Sequence, residues 1–97
     1  MQCKEWVVVL KIIDSALRHS ITEQEIRFAW NTIIESSIVQ IRHEKQPPHY
    51  MMVGFLPSGA MVEFIAFSDG FDWYVFHAKT PLTAGFKKEF KENGGIL

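Results

Sequence analysis

The stretch G-F-L-P-S-G-A-M-V-E-F-I-A-F (Gly54 to Phe67), followed after S-D-G-F-D by W-Y-V-F-H-A (Trp73 to Ala78), decides the fold. Two runs rich in Val, Ile, Phe and Tyr are bounded by Pro57-Ser58-Gly59 and Ser68-Asp69-Gly70, residues that supply tight-turn chemistry. Each run carries one ionisable side chain in apolar surroundings: Glu63 between Val62 and Phe64, and His77 between Phe76 and Ala78. Glutamate is rarely buried without a partner. The two groups therefore either line a cleft or form a paired structural polar group within the sheet.

Side chains alternate along a strand, so Glu63 is expected to share a face with Met61 and Ile65, and His77 with Trp73 and Val75. In a regular hairpin the carboxylate and the imidazole meet on one face, expected to be the one left uncovered by the C-terminal helix. Upstream, Ile38 to Glu44 alternates, with Val39 and Ile41 on one side and Gln40 and Arg42 on the other. Glu44 to Pro48 is a polar connection closed by two prolines, which cannot donate to a ladder. His49 to Leu56, Ala60 to Phe67 and Asp72 to Ala78 complete four strands whose short loops imply an antiparallel meander.

Helices flank the meander. From Trp6 to His19 the apolar positions Trp6, Val9, Leu10, Ile13, Ala16 and Leu17 fall at helical spacing, whereas Val7-Val8-Val9 favours a strand. A helix is expected, particularly from Leu10 onward. Thr22 with Glu25 forms a T-x-x-E capping box, so a second helix should begin at Glu23 with Ile26, Ala29, Trp30 and Ile33 as its buried stripe. Ile21 is placed to act as a hydrophobic staple. After the sheet, Thr80 is expected to cap a last helix with Pro81 at its first position. Leu82, Phe86 and Phe90 would pack on the sheet, and Asn93-Gly94-Gly95 would stop the helix. The expectation is one α+β domain over residues 1–97: two N-terminal helices, a four-stranded antiparallel sheet and a C-terminal helix.

Composition narrows the function classes. The chain has 97 residues, 47% of them apolar, and a formal net charge of −1, so it is not a general polyanion binder by composition. A single cysteine, Cys3, makes no internal bridge, and with no adjacent cationic cluster beyond Lys4 it is not a convincing nucleophile. The apolar run near Trp6 is interrupted by Lys11 and too short to span a bilayer. It also lacks the marks of a secretory signal, and a cytoplasmic protein is expected. Four histidines on separate elements, without metal-ligand spacing, give no expectation of a metal, and no cofactor motif is present. His19 follows Arg18 at the end of the first helical segment, where a cation is favoured in any case. Lys79 stands at the mouth of the last helix, and Arg42 and Lys45 would add a small basic rim.

R-H-S-I-T-E-Q-E-I-R-F-A (Arg18 to Ala29), V-G-F-L-P-S-G-A-M-V-E (Val53 to Glu63) and V-F-H-A (Val75 to Ala78) resemble, in order and spacing, small actinobacterial toxin-like proteins related to BrnT. The resemblance extends more remotely to RelE-type ribonuclease toxins. It implies a type II toxin–antitoxin component, a metal-independent endoribonuclease neutralised by a DNA-binding antitoxin that wraps its active face. His19, Glu63 and His77 match motif positions, and Lys79 stands where such sequences often carry Arg. Ser20 replaces a usual Gly, and Ala60 and Thr83 replace frequent arginines.

RNA cleavage of this kind needs a base for the 2′-hydroxyl, an acid for the 5′-oxygen, and cations for the charge that develops on phosphorus. The resemblance makes Glu63 the candidate base, His77 the acid or second base, and Lys79 and Arg42 the stabilising charges, with Lys45 beside them as an RNA contact. The other class of function is a non-catalytic member of the same fold, whose exposed sheet face serves a protein partner or a homodimer.

Overall fold

The computed structural model describes residues 9–97, which build an α+β fold around a five-stranded mixed sheet with a helix on each face. In chain order the elements are β1 (Leu10–Ile12), α1 (Glu23–Trp30), β2 (Val39–Ile41), β3 (His49–Phe55), β4 (Met61–Ser68), β5 (Trp73–Lys79) and α2 (Ala84–Glu92). Short 3-10 turns lie at Asp14–Leu17 and Glu35–Ser37. The strand order is β1-β5-β4-β3-β2. The expectations for Cys3 and for Trp6 to Val8 lie outside the described residues.

The meander forms as its turn residues dictate. β2, β3, β4 and β5 pair antiparallel in sequence, with Val39 opposite Met51, Met51 opposite Ile65, and Ile65 opposite His77. The Pro57-Ser58-Gly59 turn is closed by Leu56 N–H on the Ala60 carbonyl at 2.9 Å, with Gly59 at φ +91°, a conformation side chains rarely adopt. β2 is shorter than the expected Ile38 to Glu44 because Arg42 turns to φ 49° and ends the pleat.

The first expected helix is a correction. Leu10–Ile12 is a strand that lies parallel along the free edge of β5, with Leu10 opposite Trp73 and Ile12 opposite Val75. Leu10 and Ile12 turn into the core while Lys11 points away, toward Asp72 (3.5 Å) and the Tyr74 ring. Helical spacing loses here because the ladder supplies partners from elsewhere in the fold. Trp73 N–H donates to Val9 O at 3.1 Å, and Ile13 N–H to Val75 O at 2.9 Å. Among the described residues of the helical pattern only the 3-10 turn survives, holding the fully buried Ala16.

α1 follows its sequence signals closely. Thr22 Oγ accepts from Glu25 N–H (3.1 Å), and the Glu25 carboxylate accepts from Thr22 N–H (2.9 Å), which completes the capping box. Ile21 and Ile26 are both buried in one cluster, as a staple requires. The helix packs tightly on β3 at Gly54, where an added Cβ would sit 2.2 Å from the Ala29 carbonyl oxygen. On this face Ala29, Met52, Val62, Phe64, Ala66 and Val75 form the larger core. Each fully buried large side chain there contributes roughly 1.5–3 kcal/mol.

α2 covers the opposite face, with Phe86 and Phe90 on Ile41, Met51 and Ile65. Its N-cap is Thr83 rather than the expected Thr80; Thr83 Oγ accepts from Phe86 N–H. Thr80 is occupied elsewhere, donating its hydroxyl to Met61 O at 2.6 Å.

Candidate functional site

Glu63 lies in the middle of β4 opposite Lys79, with His77 one pleat further along β5 opposite Ile65. Residues directly opposite across a ladder project from the same face, so Glu63, His77 and Lys79 all stand on the face that α2 covers. The expectation that the carboxylate and imidazole share a face therefore holds. The expectation that α2 leaves this face uncovered does not: the chain leaves β5, turns at Thr80 to Leu82, and brings Thr83 directly over Glu63.

The register also differs from simple alternation. Ile65 faces His77 while Ala66 faces Val75, so Phe76 is an extra residue in β5. His77 thus parts company with Val75 and Trp73, which belong to the α1 core. Phe76 instead packs toward the α2 side, where it lies 6.1 Å from the Phe67 ring and 5.7 Å from that of His49.

Glu63 is 1% exposed and fully satisfied. One oxygen, Oε1, accepts the Thr83 backbone N–H at 2.6 Å, and the other, Oε2, lies 2.6 Å from His77 Nε2. The Thr83 hydroxyl reaches both oxygens, at 3.1 and 3.2 Å. A carboxylate only accepts, so Nε2 is the nitrogen that donates to Oε2, and in a neutral imidazole with that tautomer Nδ1 is the acceptor. His77 keeps a 25% exposed side chain, so the pair runs from the sheet interior to its surface.

His19 completes the group. The turn after Leu17 passes through Ser20 at φ 61° and sets the His19 ring edge-on to His77, with centroids 5.3 Å apart. The segment is tied to β5 by Ser15 Oγ donating to Phe76 O at 2.6 Å. A half-buried imidazole pair backed by a buried carboxylate is an arrangement suited to moving protons, since each ring carries one nitrogen that can donate and one that can accept.

The basic rim is not assembled. Arg42 was expected on the side away from Ile41, but its left-handed backbone swings it onto α2. There it pairs with Glu89 through two bonds of 3.2 Å. Ile41 is opposite His49 and His49 opposite Phe67, four positions along β4 from Glu63, so Arg42 lies at the far end of the sheet. Lys45 is exposed in the connection after β2 and is also remote from Glu63. His49 Nδ1 lies 2.8 Å from Pro47 O, a structural bond of the same connection.

Thr83 is the member of the site that was missed in the sequence. Its signal was the T-x-x-F spacing to Phe86, masked by the stronger-looking Thr80-Pro81 pair. Among the described residues no cluster of three or more His, Cys, Asp or Glu is arranged to hold a metal ion, and no helix is long and apolar enough to cross a membrane. Compared with known proteins, the chain matches no family model, no curated protein and no solved structure.

Proposed function

We propose that the protein is a metal-independent endoribonuclease, the toxin component of a type II toxin–antitoxin pair, acting on RNA in the cytoplasm. The observation that carries this is the His19–His77 ring pair held against the buried Glu63. His77 takes the role of base that the family resemblance gives to Glu63, because both Glu63 oxygens are engaged inside the fold. In the reaction His77 Nδ1 removes the 2′-hydroxyl proton, and the 2′-oxygen attacks phosphorus. The P–O5′ bond breaks as His19 protonates the leaving oxygen, giving a 2′,3′-cyclic phosphate and a 5′-hydroxyl. Glu63 orients His77, and Lys79, on the same face, offsets the charge on the phosphoryl oxygens. The antitoxin would cover the exposed edge where His19 and His77 meet.

The test is cleavage of single-stranded RNA by the purified protein in excess chelator. The expected products carry cyclic phosphate ends, and His77→Ala or His19→Ala slows the reaction by about 10²–10⁴-fold. Induced expression should arrest growth, and His77→Ala should relieve it. Absence of both cleavage and arrest with the wild-type chain refutes the proposal.

A non-catalytic interaction or homodimerisation module is the second reading. It is supported by exposed apolar side chains that line one shared surface hollow, Ile34 (64% exposed), Phe55 (37%), Met61 (40%) and Ile96 (89%). Sedimentation distinguishes it, since a dimer that loses mass on Ile34→Asp without any RNA cleavage supports this reading alone.

A further inference from the structure

We infer that Thr83 is a positioning residue for His77, acting through Glu63 and separately from its part in starting α2. An N-cap needs only an oxygen that accepts from the first turn, and Thr83 Oγ does this for Phe86 N–H at 3.3 Å. That contact uses a lone pair and leaves the one hydroxyl proton free to point elsewhere. It points at Glu63, where Oγ lies 3.1 Å from Oε1 and 3.2 Å from Oε2, astride the carboxylate. The Thr83 backbone N–H adds a 2.6 Å bond to Oε1 alone.

A carboxyl group turns readily about its last bond, a broad and roughly two-fold torsion. The backbone bond pins one oxygen and the hydroxyl centred between both fixes the plane, so Oε2 is held where His77 Nε2 meets it at 2.6 Å. Groups that orient an imidazole through its distal nitrogen set its tautomer and direction. Every variant at position 83 other than proline keeps the backbone donor, so side-chain substitution isolates the hydroxyl. The kinetic half of this inference rests on His77 being the acid–base group, whereas the tautomer half does not.

The experiment compares wild type with Thr83→Ser, Thr83→Val and Thr83→Gly. The glycine variant keeps a tolerated N-cap residue, which guards against the valine variant failing to fold. Nitrogen NMR of the His77 imidazole reads the tautomer. Wild type and Thr83→Ser should show the proton on Nε2, and the valine and glycine variants a mixture with the Nδ1–H form. In RNA cleavage those two variants should lose about 10-fold in kcat with KM unchanged, and serine should restore it. Folded valine or glycine variants with the wild-type imidazole signature overturn the inference. A wild type that cleaves no RNA sinks the ribonuclease proposal, and the imidazole signature alone then decides Thr83.

Discussion

Replacing Glu63 by leucine removes the acceptor of two 2.6 Å bonds, leaving the Thr83 N–H and the His77 Nε2–H facing apolar side chains. A buried donor left without a partner costs about 1–3 kcal/mol. His77, with 25% of its side chain exposed, can turn partly to water, so the total should fall at about 2–4 kcal/mol. A domain of this length has about 5–15 kcal/mol of stability, and each kcal/mol moves its melting point by about 4–8 °C. The leucine variant should therefore melt about 10–25 °C below wild type. Glu63→Gln keeps the shape and an acceptor for Thr83 but opposes an amide N–H to the imidazole N–H. It forces the His77 proton onto Nδ1, at a cost of about 1–2 kcal/mol. Converting both Glu63 and His77 to leucine removes donor and acceptor together, and replacing a whole buried pair is far milder than breaking it. Calorimetric melts of wild type, Glu63→Leu, His77→Leu and the double leucine variant close a double-mutant cycle, in which the double variant should lose clearly less than the sum of the singles. A Glu63→Leu variant melting within about 2 °C of wild type, or strictly additive losses, would refute the reasoning.

Two further outcomes follow from other parts of the fold. Gly54→Ala places a methyl 2.2 Å from the Ala29 carbonyl oxygen and should cost about 1–3 kcal/mol in urea unfolding, whereas Gly85→Ala, with nothing within 4 Å, should stabilise α2; equal midpoints for the two variants would sink the close-approach argument. Backbone N–H groups of Asp72 and Phe71 hold the Asp69 carboxyl below the ordinary carboxylate value, with the Tyr74 hydroxyl helping. A lowered folded-state value stabilises the protein above the unfolded carboxylate range and is lost as pH falls through the folded value. Asp69→Ala should thus be less stable than wild type at neutral pH, with the gap closing in acid; a gap independent of pH in denaturant midpoints would contradict this.

What could be read in the sequence was what local chemistry decides. Turn residues at Pro57-Ser58-Gly59 and Ser68-Asp69-Gly70 fixed the hairpins, the T-x-x-E box fixed the start of α1, and the apolar runs around Glu63 and His77 marked them as strand residues on neighbouring strands. Each of those signals lies within a few residues of its effect. What was hidden depended on distant partners or on single backbone angles. Leu10–Ile12 is a strand only because β5 offers an edge. Alternation predicts that His77 sides with Val75, and one extra residue at Phe76 reverses that. Arg42 was assigned to the rim by pleat parity, which a φ of 49° cancels. Thr83 was hidden because the carboxylate it holds lies 20 residues away on β4, while its local capping of Phe86 was masked by the Thr80-Pro81 pair.

The parallel seating of β1 beside β5 also orders the assembly of the molecule in time. The hairpins from β2 to β5 join neighbours in sequence and can zip early, whereas contacts such as Ser15 to Phe76 span 61 residues and wait on closing that long loop. Because His19 travels on the segment that follows β1, the second imidazole reaches the first only at this late step. A chain frayed at that edge would carry the carboxylate and one imidazole but not the pair.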